Sequence, residues 1–209
     1  VMAYAEPTIP GSKVTPDTVV EAFTKLRESA TDMLHFPGVK LLLDGSVQDF
    51  TSYMNWPGYY QAPNDLPSLL MTEDELVEWM TPLQAAGFQV AVHCNGDGAI
   101  DILLNAIETI SRAHPAPNIR HVCEHSQLTT PAQYARMANL GVCANIFANH
   151  LWYYGDQHYE ITVGPSRAAG MEACATATAH GVPFSLHTDA GVTPLGCLHS
   201  MWCAVNRVT

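Results

Sequence analysis

The feature that most constrains this chain is an apolar strand that ends in a ligand-type residue and runs straight into a helix, several times over. Residues 88–97, FQVAVHCNGD, read as a buried strand over 88–92 that delivers His93 to its C-terminal end. Asn95, Gly96, Asp97 and Gly98 then turn the chain into an apolar helix. Residues 120–127, RHVCEHSQ, end a strand at His125, and residues 183–190, PFSLHTDA, end one at Asp189. Residues 39–46, VKLLLDGS, place Lys40 inside an apolar strand. Strands that alternate with helices form parallel βα units with right-handed crossovers. A lysine, two histidines and an aspartate on four such strands then converge at one end of a parallel barrel.

The rest of the chain keeps this rhythm. Residues 1–5 read as a short strand and residues 6–14 as a loop. Thr15-Pro16-Asp17 caps a helix carrying Val19, Ala22, Phe23, Leu26 and Ala30 at helical spacing. Thr72 with Glu75 opens a helix to Ala86 that Gly87 closes, and residues 99–113 form another. Thr130-Pro131 starts a helix that ends at Gly141, and residues 142–146 form a strand. Residues 149–160, NHLWYYGDQHYE, read as a polar, aromatic loop, 166–180 as a helix, 184–187 as a strand and 195–205 as the last helix. Residues 44–70 form a long irregular segment with Tyr53, Trp56, Tyr59 and Tyr60, either an ordered lid or a loop packed on a neighbour.

Six βα units are counted from Val1, against the eight units and about 250 residues of a closed barrel. The expected fold is therefore α/β, a TIM (β/α)8-type barrel that is incomplete, in one domain over residues 1–209. Neither VMAYA nor NRVT reads as a natural terminus, so a piece of a longer chain is expected. Charged residues are only 14% of the chain and hydrophobic ones 47%, which suits strands covered on both faces. A net charge of −11 with nine Lys plus Arg argues against nucleic acid or an anionic membrane as partner and suits a cation. No apolar run approaches the ~20 residues of a bilayer span, and no signal peptide is visible. Six cysteines without a CxxC pair read as reduced thiols, with a lean to the cytoplasm. The expected partner is a small-molecule substrate, with homo-oligomers allowed.

Strand alternation puts Gln89, Ala91 and His93 on one face, His121, Cys123 and His125 on one face with Glu124 opposite, and Ser185, His187 and Asp189 together. If those faces point inward, His93, His125 and Asp189 share the C-terminal mouth, and such nitrogen and oxygen ligands suit zinc or a similar divalent ion. Each has a blander reading as well: a histidine at a strand end is often a hydrogen-bonded core residue, and Asp189 before Ala-Gly can simply turn the chain. Lys40, one of three lysines, loses its charge if buried without a partner. Its neutral amine can then take up carbon dioxide as an anionic carbamate that bridges metals. Alternatively it snorkels or pairs with Asp44. A thiol or serine hydrolase is the weakest reading, because Cys94 diverges from His93 on a strand and no GxSxG occurs.

The set VKLLLDGS, VAVHCNGDGAID, RHVCEHSQL, WYYGDQHYEITVGPSRAAGM, GVPFSLHTDAGVTPLG and AVNRVT resembles the amidohydrolase superfamily, in the family 3 branch that includes N-substituted formamide deformylase. The resemblance implies a TIM barrel with a small β-sandwich built from the chain ends. It implies metal-dependent hydrolysis of carbon–nitrogen bonds other than peptide bonds, through a metal-activated water. By motif, Lys40 matches the carboxylated bridging lysine of strand four, His93 and His125 the ligands of strands five and six, and Asp189 the strand-eight aspartate that ligates metal and shuttles a proton. His150, Trp152 and His158 fall where the family shapes its substrate pocket, and His187 shares the face of Asp189. One or two ions, most simply zinc, are implied. The family's HxH pair on strand one, strand two and the β-sandwich have no counterpart in this sequence. A catalytically silent barrel segment that serves as a binding or oligomerisation module is the alternative.

Overall fold

A computed structural model of the chain describes residues 2–5, 14–63, 67 and 69–209. Six parallel strands, β1 (Met2–Ala5), β2 (His35–Leu42), β3 (Gln89–Cys94), β4 (Val122–His125), β5 (Cys143–Ile146) and β6 (Phe184–Leu186), form one sheet in sequence order. β1 and β6 are its two edges, so the sheet curves as a TIM-type barrel left open. The expected strand at 1–5 is present from Met2, while Val1 and most of the loop expected over 6–14 lie outside the described residues.

Local chemistry sets the helices between the strands. Thr15 caps α1 (Pro16–Glu28), and Thr72 and Glu75 cap each other's backbone at α2 (Glu73–Ala85). The same reciprocal pair, Thr130 and Gln133, starts α4 (Pro131–Leu140), which Gly141 ends in a left-handed conformation at φ 69°. The most apolar of them, α3 (Asp97–Ala113), buries Ile100, Leu103, Leu104, Ile107 and Ile110 against the sheet. That layer meets Val39, Leu41, Leu43, Val90, Val92 and Cys94 from the outward faces of β2 and β3, together with Phe23, Leu76, Met80 and Leu83. Burying each such side chain contributes about 1.5–3 kcal/mol.

Two segments depart from the sequence reading. Residues 149–160 are not a loop: α5 (His150–Gln157) runs directly into one turn of π-helix (His158–Thr162). The polar and aromatic string conceals an inward stripe of His150, Leu151, Gly155 and His158, all buried. The single helix expected over 166–180 is two, α6 (Gly164–Gly170) and α7 (Cys174–Ala179). They are parted at Glu172, whose φ is 51° and whose N–H donates to the Gln127 carbonyl. The last helix, α8 (Cys197–Asn206), closes the described chain.

The long segment after β2 is packed on a neighbour. Tyr59 is fully buried among Val47, Met54, Leu128, Leu151, Val163 and Met171, and the Tyr60 and Gln61 N–H groups donate to the Thr162 and Ile161 carbonyls. Trp56, by contrast, is exposed. Residues 64–66 and 68 lie outside the described residues. No helix among the described residues is long and apolar enough to cross a membrane.

Candidate metal centre

Register decides which side chains share the inner face. Leu42 pairs with His93, His93 with Glu124, Glu124 with Asn145 and Asn145 with Ser185, one rung across five strands. The rung beneath it runs Lys40, Ala91, Val122 and Cys143. Glu124 therefore lies on the same face as His93, and Cys123 packs outward with Val92 in the helix layer. This corrects the expectation that the inward residues of β4 are His121, Cys123 and His125. His121 is a buried structural histidine: its Nδ1 accepts the Val90 N–H and its Nε2 donates to Gln84 Oε1.

His125 still reaches the inner mouth, because the strand ends there. His125 and Ser126 have φ of 70° and 53°, and this left-handed pair breaks the alternation. The His125 ring meets His93 edge to face at 4.4 Å between centroids and His187 at 4.9 Å, while Phe147 stacks on His187 at 4.7 Å. The Nε2 atoms of His125 and His187 are buried without a hydrogen-bond partner. Burial pushes the His125 pKa well below its usual value, and His93, His187 and Lys40 deepen the shift. Burial likewise brings His187 to about 4, against the pull of Asp189. Both rings are neutral at pH 7, with lone pairs to offer.

Lys40 and Asp189 belong to the same electrostatic neighbourhood. Both bear on His187, and both bear on Glu124, whose pKa is raised by burial while the Asn145 amide and Lys40 draw it back. Asn145 Nδ2 donates to Glu124 Oε2 at 2.7 Å and its Oδ1 accepts from Ser185 Oγ at 2.8 Å. Lys40 is half-buried, not buried, since the inner face of an open sheet stays accessible. It has no ion pair with Asp44, whose carboxylate is engaged by Ser52, Tyr53, Asn95 and Gly96. Asp189 ends its turn at φ 47°, beside His187 in a cavity of about 580 Å³ that Leu186, Leu195 and Met201 also line.

The other expected pocket residues stand further back. His150 and His158 are buried and stacked at 5.0 Å, with His158 Nε2 3.1 Å from His150 Nδ1 and His158 Nδ1 2.7 Å from Thr162 Oγ1. Burial, together with His158 and His187, pushes His150 down to about 2. Glu172, fully buried, lies 3.8 Å from His150 Nδ1 and accepts from Gln127 Nε2; burial pushes its carboxyl well above the usual range. Trp152 turns to α8, edge-on to Trp202 at 5.4 Å and to His199 at 5.8 Å.

Whether these groups suit a divalent ion is a question of donors. Among the described residues no three His, Cys, Asp or Glu side chains stand close enough to enclose one ion. The partnerless Nε2 atoms of His125 and His187 are nevertheless what nitrogen ligation requires. His93 Nε2, 3.1 Å from the Gly45 carbonyl oxygen, is held as ligating imidazoles usually are, by an outer partner on the other ring nitrogen. The imidazole donors are of the type a divalent ion takes, with Lys40 and Asp189 in the same electrostatic neighbourhood.

Comparison with known proteins gives this arrangement its family. A model described as Amidohydrolase family matches residues 5–209. The chain belongs to the amidohydrolase family. Protein LONG AFTER FAR-RED 3 of Arabidopsis thaliana is 27% identical over 179 residues, which are 85% of this chain and 30% of that protein. Putative amidohydrolase YtcJ of Bacillus subtilis (strain 168) is 25% identical over 190 residues, 90% of this chain and 35% of that one. The chain thus spans about a third of the length of these curated relatives. Among solved structures, an uncharacterized metal-dependent hydrolase from Pyrococcus furiosus superposes with a TM-score of 0.78 at 26% identity, covering 99% of this chain and 40% of that one. A second, from Pyrococcus horikoshii, gives 0.74 at 26% identity, covering 94% and 38%. The sequence foresaw neither the inward placing of Glu124 nor the four hydrogen bonds that Asp44 accepts.

Proposed function

We propose that this chain carries the metal-binding part of a hydrolase acting on carbon–nitrogen, amide-type, non-peptide bonds. The observation behind this reading is the contact of three imidazoles, His93, His125 and His187, at the C-terminal mouth of a parallel barrel, two of them with buried, partnerless Nε2 atoms. His93 and His125, with Asp189 and a carboxylated Lys40, would hold the ion. A divalent ion, zinc by donor type, supplies Lewis-acid polarisation of a carbonyl and makes water more acidic when bound.

The chain's own residues do the rest. Asp189 accepts the proton of the attacking water and returns it to the departing amine nitrogen. His187, beside Asp189 in the same cavity, contacts the substrate, while His150 and His158 support the pocket from behind. Trp152 forms the outer rim with α8. N-substituted formamides and simple N-acyl amines are the first test substrates. Release of amine by zinc-loaded protein, abolished in Asp189→Asn, is the expected result, and turnover unchanged in that variant contradicts the assignment.

One observation favours a second reading, a silent binding or oligomerisation module. Leu195, just before α8, and Leu198, Met201 and Val205 along one stripe of it are exposed beside the edge strand β6. Light scattering that shows self-association lost in Leu198→Glu, together with no zinc uptake, supports this module. A monomer that binds zinc excludes it.

A further inference from the structure

Asp44 lies one residue beyond Leu43, at the end of β2, and is fully buried. Its Oδ2 accepts from Ser52 Oγ at 2.9 Å, the Tyr53 N–H at 3.1 Å and the Gly96 N–H at 2.8 Å, and its Oδ1 accepts from the Asn95 N–H at 3.0 Å. One carboxylate thus joins the segment after β2 to the turn after β3, the turn that follows His93. The same Oδ1 is 3.6 Å from His93 Nε2. The next carbonyl, Gly45 O, is 3.1 Å from that nitrogen and accepts from Asn95 Nδ2 at 2.8 Å.

His93 Nε2 therefore faces two oxygens that can only accept. Asn95 Nδ2 also lies 3.0 Å away; it gives one proton to Gly45 O, and its second reaches Nε2 only in the opposite, Nδ1–H tautomer. A ring nitrogen between a carbonyl and a buried carboxylate carries the proton, and Nδ1 is left with the lone pair. Resting on the reading that His93 is a metal ligand, we propose that Asp44 is a positioning residue of the metal centre. It favours the Nε2–H tautomer of His93 through its carboxylate 3.6 Å away and, through Asn95 and the Gly45 carbonyl, sets the tilt of the ring. An outer partner of this kind typically accounts for a 10–100-fold gain in metal affinity.

A purely structural Asp44 would hold the two turns together and leave the tautomer to chance, so the tautomer separates the two roles. Two-bond proton–nitrogen correlation spectra of the full chain with 15N-histidine report it, with His93 assigned by its absence in His93→Ala, and calorimetry with Zn²⁺ alone reports affinity. The expected result is an Nε2–H tautomer in the wild type. Asp44→Asn then loses the single tautomer and binds zinc 10–100-fold more weakly. Ser52→Ala, which removes one donor to Asp44 and leaves His93 untouched, keeps both. An Nδ1–H tautomer in the wild type overturns the proposal without any variant, which covers the case of Asp44→Asn failing to fold. So does a folded Asp44→Asn with unchanged tautomer and affinity. Zinc failing to bind the wild type counts against the hydrolase reading instead, and the tautomer still decides the role of Asp44.

Discussion

The rings of His93 and His125 meet edge to face at 4.4 Å, although the register sets His93 opposite Glu124 and His125 opposite Cys94. Alternation alone would send them to opposite faces of the sheet. The left-handed backbone at His125 brings them together.

That conformation makes a first prediction. Asparagine tolerates positive φ, whereas a β-branched residue there costs about 1–2 kcal/mol. His125→Val is expected to be less stable than His125→Asn by that amount in urea denaturation. Equal stabilities would mean that the backbone at this position is not held left-handed.

Arg167 makes a second. Its Nη2 donates to Asp97 Oδ1 at 2.7 Å and its Nη1 to the Gly58 carbonyl at 3.0 Å, while Asp97 Oδ1 also accepts the Asn55 N–H. This clamp pins the segment after β2 to α3 and α6. With the guanidinium 25% exposed, Arg167→Met is expected to cost about 1–2 kcal/mol after allowance for solvent screening. Protease cleavage within residues 50–60 should rise with it. Wild-type cleavage rates would show that the segment is held by its buried Tyr59 alone.

Much of this architecture was legible in the sequence and some was not, for identifiable reasons. The capped helices and apolar strands announced themselves through local chemistry, and Thr72 with Glu75 or Thr130 with Gln133 do in the structure what their spacing predicts. Glu124 was assigned to the wrong face because face assignment counts backward from His125, and a left-handed residue makes that count wrong by one. Residues 149–160 concealed a helix because its buried stripe holds one leucine among two histidines and a glycine, too little to carry hydrophobic periodicity. Asp44 looked like a partner for the nearby Lys40, but its four donors come from residues eight or more positions away, beyond the reach of local pattern.

Gly96 gives a third prediction. A Cβ there would overlap the Tyr53 carbonyl, and the Gly96 N–H is one of the donors to Asp44. Gly96→Ala is therefore expected to part the two turns, cost about 1–3 kcal/mol and weaken zinc binding. Unchanged zinc affinity in a destabilised Gly96→Ala would separate the turn from the metal centre.

His121 gives a fourth. Burial lowers its pKa to about 4, and its Nδ1 accepts the Val90 N–H. The unfolded chain, near the ordinary pKa of about 6.5, takes up a proton that the folded chain refuses, so stability is whole above pH 6.5 and falls as pH drops toward 4. That loss is on the order of 3 kcal/mol. His121→Gln is expected to be less stable at pH 7.5 and to show a shallower fall between pH 6.5 and 4. A parallel fall in both proteins would assign the acid sensitivity to the other buried histidines.

Uptake of the ion itself is the most direct measurement. Metal-free protein titrated calorimetrically with Zn²⁺ is expected to bind at least one ion per chain. Binding should weaken at least tenfold in His93→Ala and in His125→Ala, with folding retained by circular dichroism. Wild-type protein that takes up no zinc, or both variants binding it as the wild type does, would contradict the account.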